Sequence, residues 1–151
     1  MKQVFKKGTL LIAILLIDLL TGVEFDLFIP SFPEIQQQFN LSSFWTEALL
    51  SINFIGYCLS LFFVGVLSDR YGRKPIISFG LIIFVFGSLL CLWAPSYMYL
   101  FYGRFLQGAG IAALAVLSFL IIADNYPLKK QQYWMTMLNG LKNAAVAIAP
   151  V

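Results

Sequence analysis

Apolar residues in this chain run in long unbroken stretches, and polar residues are confined to short intervals between them. The stretches at 9–29, 44–67, 76–94, 98–123 and 133–151 are each about long enough, as helices, to cross the ~30 Å hydrocarbon core of a bilayer. The pattern predicts an all-α fold, a polytopic transmembrane bundle of about five helices. Pro30 and Pro33 close the first stretch, and a polar connection at 31–43 follows. The second stretch carries Ser51, Gly56, Ser60 and Gly65, small residues that let helices pack closely in lipid. Between it and the third lies the most densely charged run of the chain, 65–74, expected to be a tight loop at the membrane surface. Pro75 then opens the third stretch, in a first turn where no backbone donor is lost. A second charged connection at 124–130 leads to the fifth.

Composition agrees with the pattern. Of the 151 residues 60% are hydrophobic and 11% charged, with a mean hydropathy of +0.85. A soluble domain carries roughly 25% charged residues, so a water-soluble fold is excluded. The net charge of +3 does not point to nucleic acid, because the cations punctuate apolar runs instead of forming a patch. Assigning the ends of the stretches in alternation gives one side Lys2, Lys6, Lys7, Arg70, Arg73, Lys74, Lys129 and Lys130, and the other side none. By the positive-inside rule the first side, with the N-terminus, is cytoplasmic. A basic start before an apolar run also fits a secretory signal, but the run is long, carries three acids and lacks a small-x-small cleavage site.

Little here supports an enzyme. The chain has no histidine, and Cys58 and Cys91 both fall inside apolar runs, where they read as packing residues. With no metal-ligand cluster, phosphate-cradling loop or nucleophile–base pair in view, no catalytic residue, metal or cofactor is expected.

The charges left inside the stretches carry the chemistry. An ionised side chain at a helix centre costs about 2.5–3.5 kcal/mol to insert, so it faces a cavity or a partner. On the first stretch Asp18 and Asp26 are about 80° apart around a helix and ~12 Å apart along it, a shared face. Glu24 projects about 120° from Asp18 in the opposite sense. For Glu24 and Asp26, near the outer end, solvation and a cavity role both stay open. A buried carboxylate can take up and release a proton, and in its ionised form attract a cationic substrate. Arg104, inside the fourth stretch, is the natural counterpart, because a guanidinium stays charged and binds several acceptors at once. A helix–helix clamp near the outer surface is the plainer reading of Arg104. Lys142 either pairs with a cavity acid or extends toward the cytoplasm.

These residues resemble a known family. Gly65-x-x-x-Asp69-Arg70-x-Gly72-Arg73-Lys74, between the second and third stretches, is similar to the loop signature of the major facilitator superfamily. Arg104-x-x-Gln107-Gly108 resembles its proton-coupling motif. Asp26-Leu-Phe-Ile-Pro30-Ser-Phe-Pro33 resembles the end of the first helix in its twelve-span drug/proton antiporters, especially the bicyclomycin and chloramphenicol resistance branch.

The resemblance implies a secondary transporter of the bacterial inner membrane, represented here by the first five helices of an N-terminal six-helix bundle. It would export small molecules against protons by alternating access, with the proton gradient as energy source and no cofactor. Its partners would be substrate, protons, lipid and the remaining helices. Asp18, Asp26 and Glu24 would serve substrate and proton, and Arg104, Gln107 and Gly108 the coupling. Asp69 would cap a contact closing the cytoplasmic side, Gly65 would admit an opposing helix, and Arg70, Gly72, Arg73 and Lys74 would complete the gate, with Asp124 pairing to Arg73. The fifth stretch departs from the family pattern, with Lys142 after Gly140 and Ala149 before Pro150. Two other readings stand beside this one, a dedicated exporter of a metabolite, siderophore or amino acid, and a short membrane protein that does not itself transport.

Overall fold

The computed structural model describes residues 14–17, 19–22, 24 and 28–148, with 142 and 145–148 described by their backbone alone. Residues 14–17, 19–22 and Glu24 are helical and form the opening segment. After a single 3-10 turn at Ile29–Ser31 come α1 (Phe32–Phe39), α2 (Ser43–Tyr71), α3 (Arg73–Leu92), α4 (Tyr97–Asn125) and α5 (Leu128–Ile148). Among the described residues the fold is all-α. By length and composition α2, α3 and α4 are able to cross a membrane.

Two connections differ from the sequence expectation. The polar interval at 31–43 holds the helix α1, because Pro30 and Pro33 sit in the first turns of the 3-10 turn and of α1, where no amide donor is lost. Asn40, left-handed at φ 51° and ψ 48°, ends α1. The charged run 65–74 is not a loop. Residues up to Tyr71 belong to α2 and Arg73 begins α3, so Gly72 alone makes the turn, at φ 92°. That left-handed region suits a residue without Cβ. Charged side chains near a helix end reach past the hydrocarbon while the backbone keeps its helical hydrogen bonds.

The bundle is built around α4, which packs along its length on α2 and α3. In their most apolar windows α4 is 61% buried, against 22% for α2 and 11% for α3, so α4 is the core. The packing inverts the water-soluble rule. On α2 the buried residues are Thr46, Leu49, Asn53, Gly56, Val64 and Ser68, while Phe54, Phe62, Phe63 and Val66 face outward. Helices in lipid associate through small and polar residues and leave large apolar ones to the acyl chains.

Small residues determine how closely α4 is approached. A Cβ added at Gly108 would collide with the backbone carbonyl of Asn53, and one at Gly110 would lie 2.6 Å from the carbonyl of Gly80. The helix therefore meets α2 and α3 backbone to backbone on two faces. At its other end Tyr126, extended before Pro127, stops the helix. Gln131 of α5 caps the freed carbonyls, donating to Ala123 at 3.0 Å and Tyr126 at 2.7 Å. Ile14, Ile122 and Leu138 form a buried cluster that ties the opening segment, α4 and α5 together.

Candidate functional site

Packing this close leaves little room for polar side chains, yet a set of them meets inside the bundle. Arg104, one turn into the buried part of α4, has a side chain only 3% exposed. Its Nη1 donates to Oε1 of Glu24 at 2.7 Å, and the Glu24 side chain is 6% exposed. A lone charge here would be costly, and pairing with hydrogen bonds is what makes it tolerable. The Phe28 ring covers the guanidinium, with Cζ 4.0 Å from its centroid.

Amide side chains extend the pair in both directions. Asn53 of α2 donates its Nδ2 to the same Glu24 Oε1 at 2.8 Å. Gln107, one turn after Arg104, accepts from Nη1 with its Oε1 at 2.9 Å and donates its Nε2 to Ser88 of α3 at 2.9 Å. Arginine has no acceptor, so the orientation of the Gln107 amide follows. Ser88 passes its hydroxyl to the carbonyl of Phe84 at 2.9 Å. One chain of hydrogen bonds thus runs from α2 through Glu24 of the opening segment and α4 to α3. Glu24 Oε2, Asn53 Oδ1 and Arg104 Nε and Nη2 are buried without a hydrogen-bond partner among the described residues. Gly108 completes the motif by steric means, since it admits the Asn53 backbone against α4.

This geometry decides between the readings left open for two residues. Glu24 is the buried partner of Arg104 and not a solvated acid, and Arg104 lies in the bundle interior, not at its outer surface. A helical wheel for one helix gives angles between side chains but not which face meets a neighbour. Asp18 and Asp26 lie outside the described residues. Asn53 and Ser88 are not among the residues that the sequence singles out. The available signal was an asparagine and a serine in the middle of apolar stretches, each needing a partner in lipid.

A second polar cluster sits where α2, α3 and α4 end together. Arg73 reaches Asp69 through Nη1 and Asp124 through Nε, both at 3.1 Å, and donates from Nη1 to Ser68 Oγ at 2.7 Å. Ser68 in turn donates to the carbonyl of Gly65 at 2.9 Å. The pairing of Arg73 with Asp124 is the one the family resemblance implied. Arg70 points elsewhere, with its Cζ 5.4 Å from the Tyr71 ring centroid. Lys74, which follows Arg73, accepts from Ser78 through its backbone carbonyl at 3.2 Å. Around Gly65 a Cβ would meet nothing within 4 Å, in contrast to Gly108. Among the described residues no group of three or more His, Cys, Asp or Glu side chains is placed to hold a metal.

Known proteins resemble this chain over most of its length. The chain is 32% identical over 126 residues to the multidrug resistance protein MdtL of Klebsiella pneumoniae (strain 342), covering 83% of this chain and 32% of that protein. MdtL of Salmonella paratyphi A and of Salmonella typhi are each 31% identical over the same shares. The chain thus spans about a third of the length of the curated relatives it matches. The profile of the Major Facilitator Superfamily matches residues 13–151. With that match over nearly its whole length, the chain belongs to the Major Facilitator Superfamily.

Proposed function

We propose that the chain forms the first part of a proton-coupled exporter of small molecules, working by alternating access in the bacterial inner membrane with its N-terminus in the cytoplasm. The opening segment and α5 are its first and fifth spans. The observation that carries this reading is the Glu24–Arg104 pair at 2.7 Å, buried inside a bundle whose exposed surface is apolar. An acid held there against a fixed cation can exchange its proton for a competing cation, which is what antiport requires. The kinship with multidrug resistance proteins supports drugs as the substrate class. Asp18 and Asp26 are assigned to substrate and proton beside Glu24, and Gly65, Asp69, Arg70, Gly72, Arg73, Lys74 and Asp124 to the cytoplasmic gate. Neither an enzymatic step nor a cofactor is part of this mechanism.

The test is substrate-induced proton release from the lipid-reconstituted protein, extended to the length of its relatives, across a panel of compounds. Asp18→Asn and Glu24→Gln should each abolish proton-coupled efflux. Unchanged transport in both variants would remove the acids from the mechanism. Release by one compound only would point to a dedicated exporter.

A further inference from the structure

The Glu24–Arg104 pair has an unusual form. A carboxylate and a guanidinium left to themselves join as a fork, two parallel hydrogen bonds using both oxygens and two nitrogens. Here they meet through one atom each. Glu24 Oε1 takes Arg104 Nη1 at 2.7 Å, while Oε2 and Nη2 are both buried and without a partner among the described residues. The two joined atoms are also the ones held by amides, since Asn53 Nδ2 lies 2.8 Å from Oε1 and Gln107 Oε1 lies 2.9 Å from Nη1.

We propose that Asn53 is a positioning residue that keeps the pair single-bonded and thereby reserves Oε2 of Glu24 for the proton. This rests on the proton-carrying role proposed above for Glu24. An oxygen that already accepts two hydrogen bonds, one from a cation, is a poor proton acceptor, and the free oxygen of the same carboxylate is the better one. The step balances as one proton bound at Oε2 to give the neutral acid and the same proton released to restore the carboxylate. Protonation also turns Oε2 into a donor in a site where Asn53 Oδ1 is an acceptor without a partner among the described residues. The position of the amide is itself firmly set. Asn53 is 0% exposed, and its backbone carbonyl lies against Gly108, where α4 has no side chain. A shift of α2 along α4 would move the amide away from Glu24 and let the fork close, which links the α2–α4 contact to the state of the acid.

Infrared difference spectroscopy of the lipid-reconstituted protein on acidification tests this without a transport assay. The wild type should show a protonated-carboxyl band that Glu24→Gln removes. Asn53→Leu, close in volume but without an amide, should lose that band because the fork traps the carboxylate. Asn53→Leu combined with Arg104→Lys should regain it, since an ammonium on a flexible stem cannot form the fork. Misfolding in Asn53→Leu would not be repaired by the second change, so failure of the double variant to regain the band overturns the proposal. So does a wild-type band in Asn53→Leu. Absence of a Glu24-dependent band from the wild type would instead remove the proton-carrying role on which the proposal rests.

Discussion

Arg73, the first residue of α3, reaches Asp124 near the end of α4 at 3.1 Å, although the two lie 51 residues apart in the chain. The same guanidinium holds Asp69 and Ser68 at the end of α2, so one side chain fastens three helix ends. Half of the Asp124 side chain is exposed, however, and solvent screens the attraction. A double-mutant cycle of Arg73→Ala and Asp124→Ala should give a coupling of about 0.2–1 kcal/mol, smaller still in high salt. Denaturant unfolding in detergent measures it. A coupling of several kcal/mol would mean that the cluster is far better shielded than its exposure indicates.

Glycines with the same composition should behave in opposite ways. At Gly108 an added Cβ collides with the Asn53 carbonyl, backbone against backbone, and neither can give way locally. Gly108→Ala should therefore destabilise the bundle by roughly 1–3 kcal/mol. Gly65 has open space around it, and Gly65→Ala should change stability by no more than about 0.5 kcal/mol. A loss of transport in the Gly65 variant without a loss of stability would support the proposed approach of an opposing helix at this position. Parallel unfolding curves of the two variants decide the matter.

What could be read in advance depended on whether the signal lay along one helix or between several. Apolar stretches and flanking cations are properties of one segment, so helices apolar enough to cross a membrane are legible without knowing how they pack. The Arg73–Asp124 contact between helices was legible only through family resemblance. Glu24 was harder. Its angle from Asp18 depends on the helix alone, but its burial depends on where α2 and α4 sit, and that depends in turn on Gly108 and Asn53. Gly65 to Tyr71 read as a loop because four charges crowd 69–74, whereas a helix end at a membrane surface tolerates the same charges.

Removing one member of the interior pair should cost more than removing both. Arg104→Met leaves Glu24 buried without its cation and should destabilise the protein by about 3–5 kcal/mol. Glu24→Gln combined with Arg104→Met leaves no charge and should recover a large part of that loss. The comparison requires unfolding in a lipid-like detergent, because water entering an opened bundle would stabilise the lone acid. Equal losses in the single and double variants would show that Arg104 acts mainly by its bulk, covering Phe28 and filling the space beside Gln107.

Orientation can be checked independently of transport. The ends joined by Gly72 carry Arg70, Arg73 and Lys74, and the α4–α5 junction carries Lys129 and Lys130, whereas α1 carries Glu34 and no cation. If the cationic ends face the cytoplasm, a cysteine placed at Gln37 on α1 should react with an impermeant maleimide added to intact spheroplasts. One placed at Lys129 should react only after the membrane is opened. The native Cys58 and Cys91 would be changed to serine beforehand to leave a single reactive thiol. Reversed labelling would put the Arg73 cluster outside the cell, and the Arg73–Asp69–Asp124 contacts could then no longer serve a cytoplasmic gate.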